Sequence, residues 1–176
     1  LLAAAVCVWG VVVGLGLFAV FEHDTTSGEI ARSPARWPSG TRLPRGRGVT
    51  VAMFVYPGCP CTRASLGELA QIAFDADAAI DIVVTGPATP WGGAQPSGAR
   101  WIADDGREAA RFGAHTSGYT VVYDAAGVLQ FAGGVTGSRG HVGDNVGRDA
   151  VQRIARGQDP EIHDHGVFGC ALGGAR

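Results

Sequence analysis

Two thiols one residue apart, Cys59 and Cys61 on either side of Pro60, are the residues of this chain best placed to do chemistry. Thiol–disulfide exchange needs a thiolate nucleophile and a second sulfur nearby to resolve the mixed disulfide, and this pair supplies both. The pair sits where a β-favouring run ends and a helical pattern begins. A helix N-terminus offers its dipole and free N–H groups to an anion, which lowers a cysteine's pKa. In this reading Cys59 attacks or is attacked, Cys61 resolves, and Pro60 holds the short loop. Arg63, one turn into the helix, either favours the thiolate or faces solvent.

The elements that must position the pair are legible on both sides. Val49 to Tyr56 reads as a strand buried on both faces. After it, Leu66, Leu69, Ile72 and Ala73 fall at helical spacing, and Pro60 suits a first helical turn because its missing N–H costs nothing there. Ala79 to Thr85 reads as a second buried strand, closing a right-handed β-α-β unit. A Pro/Gly-rich loop follows over 86–98, then a short strand over Arg100 to Ala103 and a short helix over Arg107 to Phe112. Tyr119 to Tyr123 and Val128 to Ala132 flank Asp124-Ala125-Ala126-Gly127, a hairpin signal with Gly available for the left-handed position. Asn145 to Arg156 places Val146, Ala150, Val151 and Ile154 on one helical face, with Asp144 as the expected cap. This order is that of the thioredoxin fold, an α/β architecture with a mixed central sheet and flanking helices.

Outside that domain the composition changes twice. Leu1 to Phe21 contains no charged residue and is long enough to cross a hydrocarbon core, so residues 1–21 are expected to form a transmembrane anchor rather than a cleaved signal peptide. The sequence begins without Met, and a short preceding segment carrying the orienting charges is expected. Gly10 and Gly14 form a GxxxG within the run. Residues 22–48, rich in Pro, Ser, Gly and Arg, read as an extracytoplasmic linker with little capacity for a packed core. The thioredoxin-like domain is expected over 49–156 and a C-terminal tail over 157–176.

Composition narrows the function. The 176 residues are 46% hydrophobic and 17% charged, with 14 cationic against 16 acidic side chains. That balance lacks the positive surplus that a phosphate backbone demands, so no nucleic-acid partner is expected. All the cations are Arg, which removes lysine-based catalysis. Gly133, Gly134, Gly137 and Gly140 do not make a GxGxxG fingerprint after a parallel strand, so no nucleotide is expected either. No nucleophile motif supports a Ser-His-Asp arrangement.

The stretch MFVYPGCPCTRASLGEL resembles the strand, redox loop and first helix of membrane-anchored thioredoxin-like proteins. The resemblance covers about Val49 to Arg156 and is most marked to a bacterial group sometimes labelled RedB, which carries similar CPCTR, TSG, GxTGxRGH and FGC segments. Here these are Cys59 to Arg63, Thr116 to Gly118, Gly134 to His141 and Phe168 to Cys170. The resemblance implies a periplasmic or cell-surface oxidoreductase acting on protein thiols or disulfides, with no cofactor. The family motif has two residues between its cysteines. If Cys61 matches the second, Gly58 occupies the nucleophile position; if the loop is one residue short, Cys59 is the nucleophile. The family's cis-proline, which helps bind an incoming peptide, is replaced by Thr116-Ser117-Gly118. That replacement leaves room for a binding domain without turnover. Copper-delivery proteins of the same fold imply a further alternative, with Cys59, Cys61 and His141 as ligands.

Several other residues have competing readings. Cys170 pairs with Cys59 or Cys61 if the tail folds back over the loop; otherwise it is a structural or free thiol. Cys7 packs within the anchor. His163 and His165 read as polar tail. Trp37, Trp91 and Trp101 line a groove or anchor the core. Glu68 and Glu108 read as solvated, and Asp75 and Asp77 as turn residues.

Overall fold

The computed structural model describes residues 2–29, 32–75, 78–86 and 95–173. Asp77 and Trp91 lie outside them. The elements run α1 (Leu2–Thr25), β1 (Thr50–Val55), α2 (Thr62–Asp75), β2 (Ala79–Thr85), β3 (Arg100–Asp104), α3 (Arg107–Phe112), β4 (Tyr119–Tyr123), β5 (Leu129–Gly133), α4 (Val146–Ala155) and β6 (Asp164–His165).

The strands form one sheet in the order β3-β2-β1-β4-β5-β6. β1 runs parallel to β2 and β2 to β3, β4 is antiparallel to both β1 and β5, and β6 joins β5 in parallel. Every residue of β1 is buried, as its unbroken apolar run requires of a central strand. Alternation along that strand sends side chains to two cores. Val51, Met53 and Val55 pack with Leu66, Leu69 and Ile72 of α2 and with Ala150, Val151 and Ile154 of α4. Ala52 and Phe54 face the other way, toward Ala109 and Phe112 of α3 and Tyr119, Val121 and Tyr123 of β4. The result is the thioredoxin fold, a mixed sheet covered by helices on both faces.

Residues expected to be a loose tether and a loose tail are laid against this domain. Trp37 meets Phe112 and Tyr123 edge-on, each at 5.2 Å between ring centroids. Tyr123 donates its hydroxyl to the Pro34 carbonyl at 2.8 Å, and Leu43 is buried in the second core. The segment has no capacity for a core of its own, but it covers one that the sheet exposes. Val167 and Leu172 of the tail enter the same core.

Three polar readings are corrected. Glu68 and Glu108 are buried rather than solvated, because each has a partner distant in sequence. Glu68 pairs with Arg148 at 3.1 Å and accepts the Gly143 N–H; Glu108 accepts from the Thr41 hydroxyl and lies 3.6 Å from Arg42. The cap of α4 is Asn145, whose side chain accepts the Arg148 N–H at 2.9 Å, and Asp144 instead pairs with the Arg148 guanidinium. The hairpin turn is as its sequence suggests, with Gly127 at φ 76°.

α1 is 24 residues long, apolar up to Phe21 and without a buried residue. By length and composition it is able to cross a membrane.

Candidate functional site

β1 ends at Val55, and Tyr56 to Cys61 turn the chain into α2. The turn is closed by Thr62 N–H donating to the Cys59 carbonyl at 3.1 Å, and the Cys61 carbonyl receives Ala64 N–H at 3.0 Å. Pro60 is exposed in this turn, two residues before the first helical residue and so outside the first helical turn expected for it. Cys59 is 3% exposed, whereas Cys61 is half-buried.

What buries Cys59 is the tail. The Cys170 backbone N–H donates to the Cys59 sulfur at 3.2 Å. The residues around Cys170 are held by an isolated antiparallel bridge against 115–117: Ser117 N–H donates to the Cys170 carbonyl at 2.8 Å, Leu172 N–H to the His115 carbonyl at 2.9 Å, and Thr116 bridges Ala171. Gly169 is required here, since a Cβ on it would come within 2.0 Å of the Ser117 carbonyl oxygen.

Thr116-Ser117-Gly118 thus does meet the Cys59–Cys61 loop, in the trans peptide conformation. Ser117 accepts the Tyr56 N–H on its hydroxyl at 2.8 Å and shares a 2.8 Å hydrogen bond with the Thr62 hydroxyl, tying the loop after β1 to the loop before β4. Gly118, at φ 93°, donates its N–H to the Phe54 carbonyl at 2.8 Å.

The cation at the thiols is Arg139, which the sequence reading did not single out. It donates to the Gly169 carbonyl at 2.6 Å, and its side chain hydrogen-bonds to Cys61. The same guanidinium reaches the His23 carbonyl at 3.0 Å, and its backbone N–H donates to the Asp24 carbonyl, so it also closes off the C-terminal end of α1. Its only signal in the sequence is its place in the Gly134 to His141 segment. Arg63, the cation that spacing suggested, is exposed.

These contacts separate the three thiols. Burial pushes Cys59 up, but hydrogen bonds from the Cys170 thiol and N–H, the Cys61 N–H and the Thr62 hydroxyl outweigh it, and its pKa falls below the ordinary value. Burial and the neighbouring Cys59 thiolate push Cys61 up, against the lowering effect of Arg139. Burial, a hydrogen bond to Cys59 and the charge of Cys59 push Cys170 to about 12. One thiolate is therefore stabilised in the cluster, and it resides on Cys59. All four cysteines are free thiols, with Cys7 exposed on α1.

His141 is exposed on the loop that carries Arg139. Among the described residues no group of three or more His, Cys, Asp or Glu is arranged to hold a metal ion. His163 and His165 pin the tail to β5 by ring nitrogens on the Gln130 and Gly134 carbonyls, at 2.8 and 3.2 Å.

No family model and no curated protein matches this sequence. Solved structures are similar in fold. An uncharacterized conserved protein from Geobacillus kaustophilus aligns with a TM-score of 0.58 at 17% identity, over 84% of this chain and 92% of its own. A hypothetical protein from Sinorhizobium meliloti gives 0.57 at 19% identity, over 84% and 94%. The pneumococcal exposed lipoprotein thioredoxin from Streptococcus pneumoniae gives 0.44 at 17% identity, over 62% and 84%.

Proposed function

We propose that this chain is a membrane-tethered, extracytoplasmic thiol–disulfide oxidoreductase acting on protein thiols or disulfides. Cys59 forms the mixed disulfide with substrate, and a second thiol of the same cluster releases the product. The observation that carries this reading is the Cys59 sulfur itself. It is buried at a strand-to-helix junction, accepts the Cys170 N–H at 3.2 Å, has its pKa drawn below the ordinary value, and is flanked by two more thiols. A packing cysteine needs none of this.

Two further points support it. The four segments that resemble the RedB-like group converge here, since Cys59 to Arg63, Thr116 to Gly118, Arg139 and Cys170 all contribute to one site. The apolar α1 supplies an anchor, and an extracytoplasmic setting permits disulfides to persist.

Insulin reduction by the full chain tests the reading. Cys59→Ser is expected to abolish it, and a Cys59→Ser rate equal to that of the unaltered chain would overturn the assignment. A copper site on Cys59, Cys61 and His141 is the competing chemistry; stoichiometric Cu(I) uptake that needs both cysteines, without turnover, would favour it.

A further inference from the structure

The tail lies where a peptide would have to lie to present a cysteine to Cys59. It runs antiparallel to 115–117 with two backbone hydrogen bonds, one on each side of Thr116. It is seated at both ends by the buried Val167 and Leu172 and is clamped at Gly169 by Arg139. The side chain this strand delivers to Cys59 is a thiol.

We propose that Cys170 is the resolving thiol of this site, so that the oxidised protein carries a Cys59–Cys170 disulfide with the tail as a built-in substrate strand. The proposal rests on the oxidoreductase reading and adds a third cysteine to its mechanism. Geometry favours Cys170 over Cys61. A backbone nitrogen bonded to the Cys59 sulfur at 3.2 Å places the Cys170 Cα one bond further on, within the reach of a disulfide. The Cys61 thiol also reaches Cys59, but a disulfide between residues two apart closes a small, strained ring. A bond between them must distort a turn that Thr62, Ala64 and Ser65 N–H groups hold closed on the Cys59 and Cys61 carbonyls.

The exchange balances in two steps. The Cys59 thiolate attacks one sulfur of a substrate disulfide; a Cys59–substrate S–S bond forms, the substrate S–S bond breaks, and the departing thiolate takes a proton. Cys170 then attacks the Cys59 sulfur, giving its proton to the second departing sulfur. A Cys59–Cys170 bond forms and the mixed disulfide breaks. Two protein thiols are oxidised and one substrate disulfide is reduced to two thiols. The order is enforced electrostatically. While Cys59 is a thiolate it suppresses ionisation of Cys170; once it is in a mixed disulfide that charge is gone, and Arg139 remains to favour the new thiolate.

The test uses the full chain in detergent, oxidised glutathione as the probe, acid quenching and peptide mapping of the bridges. The unaltered chain and Cys61→Ser are expected to yield a Cys59–Cys170 link, whereas Cys170→Ala stalls with one glutathione on Cys59. A Cys59–Cys61 link in the unaltered chain, with Cys170→Ala releasing glutathione at the unaltered rate, overturns the inference and leaves the oxidoreductase reading intact. A Cys59–Cys170 link in a chain that turns over no protein substrate upholds the pairing and overturns that reading alone. The map of the unaltered chain decides even if a variant misfolds.

Discussion

At the scale of single residues, the account depends on which of three adjacent thiols ionises first. Cys59 is the one whose pKa is lowered, so its thiolate appears at lower pH than an ordinary cysteine's, while Cys61 and Cys170 ionise at higher pH. The groups facing Cys59 are the Cys170 thiol and N–H, the Cys61 thiol and N–H, and the Thr62 hydroxyl, with Arg139 bonded to Cys61 and Gly169 beside them. Removing a donor to the thiolate raises the midpoint. A thiolate absorbance titration of Cys170→Ala is therefore expected to place Cys59 at higher pH than in the unaltered chain; an unchanged midpoint would mean that the contact with Cys170 does not stabilise the charge. Arg139→Gln is expected to move the Cys61 midpoint upward, because a cation that lowers it is lost. Neither shift would follow if these residues only packed.

At the scale of elements, two devices hold the site in place. One is the tail strand, whose close approach to Ser117 tolerates glycine alone at position 169. Gly169→Ala is expected to lift the strand, and alkylation of Cys59 by iodoacetamide should then become faster. Equal rates would show that the tail does not cover the sulfur. The other device is the link from α2 to α4, where Glu68 is 0% exposed and Arg148 12% on their side chains. Truncating Arg148 leaves a buried carboxylate unpaired and is expected to cost about 3–5 kcal/mol in urea unfolding. The elements themselves were legible in the sequence. β1, α2, β2 and the hairpin are written in local periodicity and turn residues, and their observed bounds fall within a residue or two of expectation. Partnerships across long separations were not. Glu68 finds Arg148 and Thr41 finds Glu108, and no local pattern encodes those meetings; the approach of Cys170 to Cys59 was one of two readings the sequence left open. Read singly, Glu68 looks like a surface charge and Thr41 like a linker residue.

At the scale of the whole molecule, α1 and the thiol site are joined rather than strung apart. A 24-residue helix spans about 36 Å, enough for a hydrocarbon core of roughly 30 Å, and every described residue of its apolar stretch is exposed within the chain. Arg139 holds the carbonyl end of that helix and the Gly169 carbonyl together. The thiols consequently lie close to the point where α1 ends. The full chain is expected to stay with the membrane through alkaline carbonate extraction; release of a shortened, soluble form would identify α1 as a cleaved signal instead.

If Cys59 cycles between thiol and disulfide, thiol counting across a redox series reads that cycle. The full chain is equilibrated in glutathione buffers of graded potential, quenched in acid and alkylated. The account predicts that two of the four thiols disappear together in one two-electron transition, and that Cys59→Ser removes the transition. A transition that survives unchanged in Cys59→Ser, or four thiols that remain alkylatable at every potential, would contradict it.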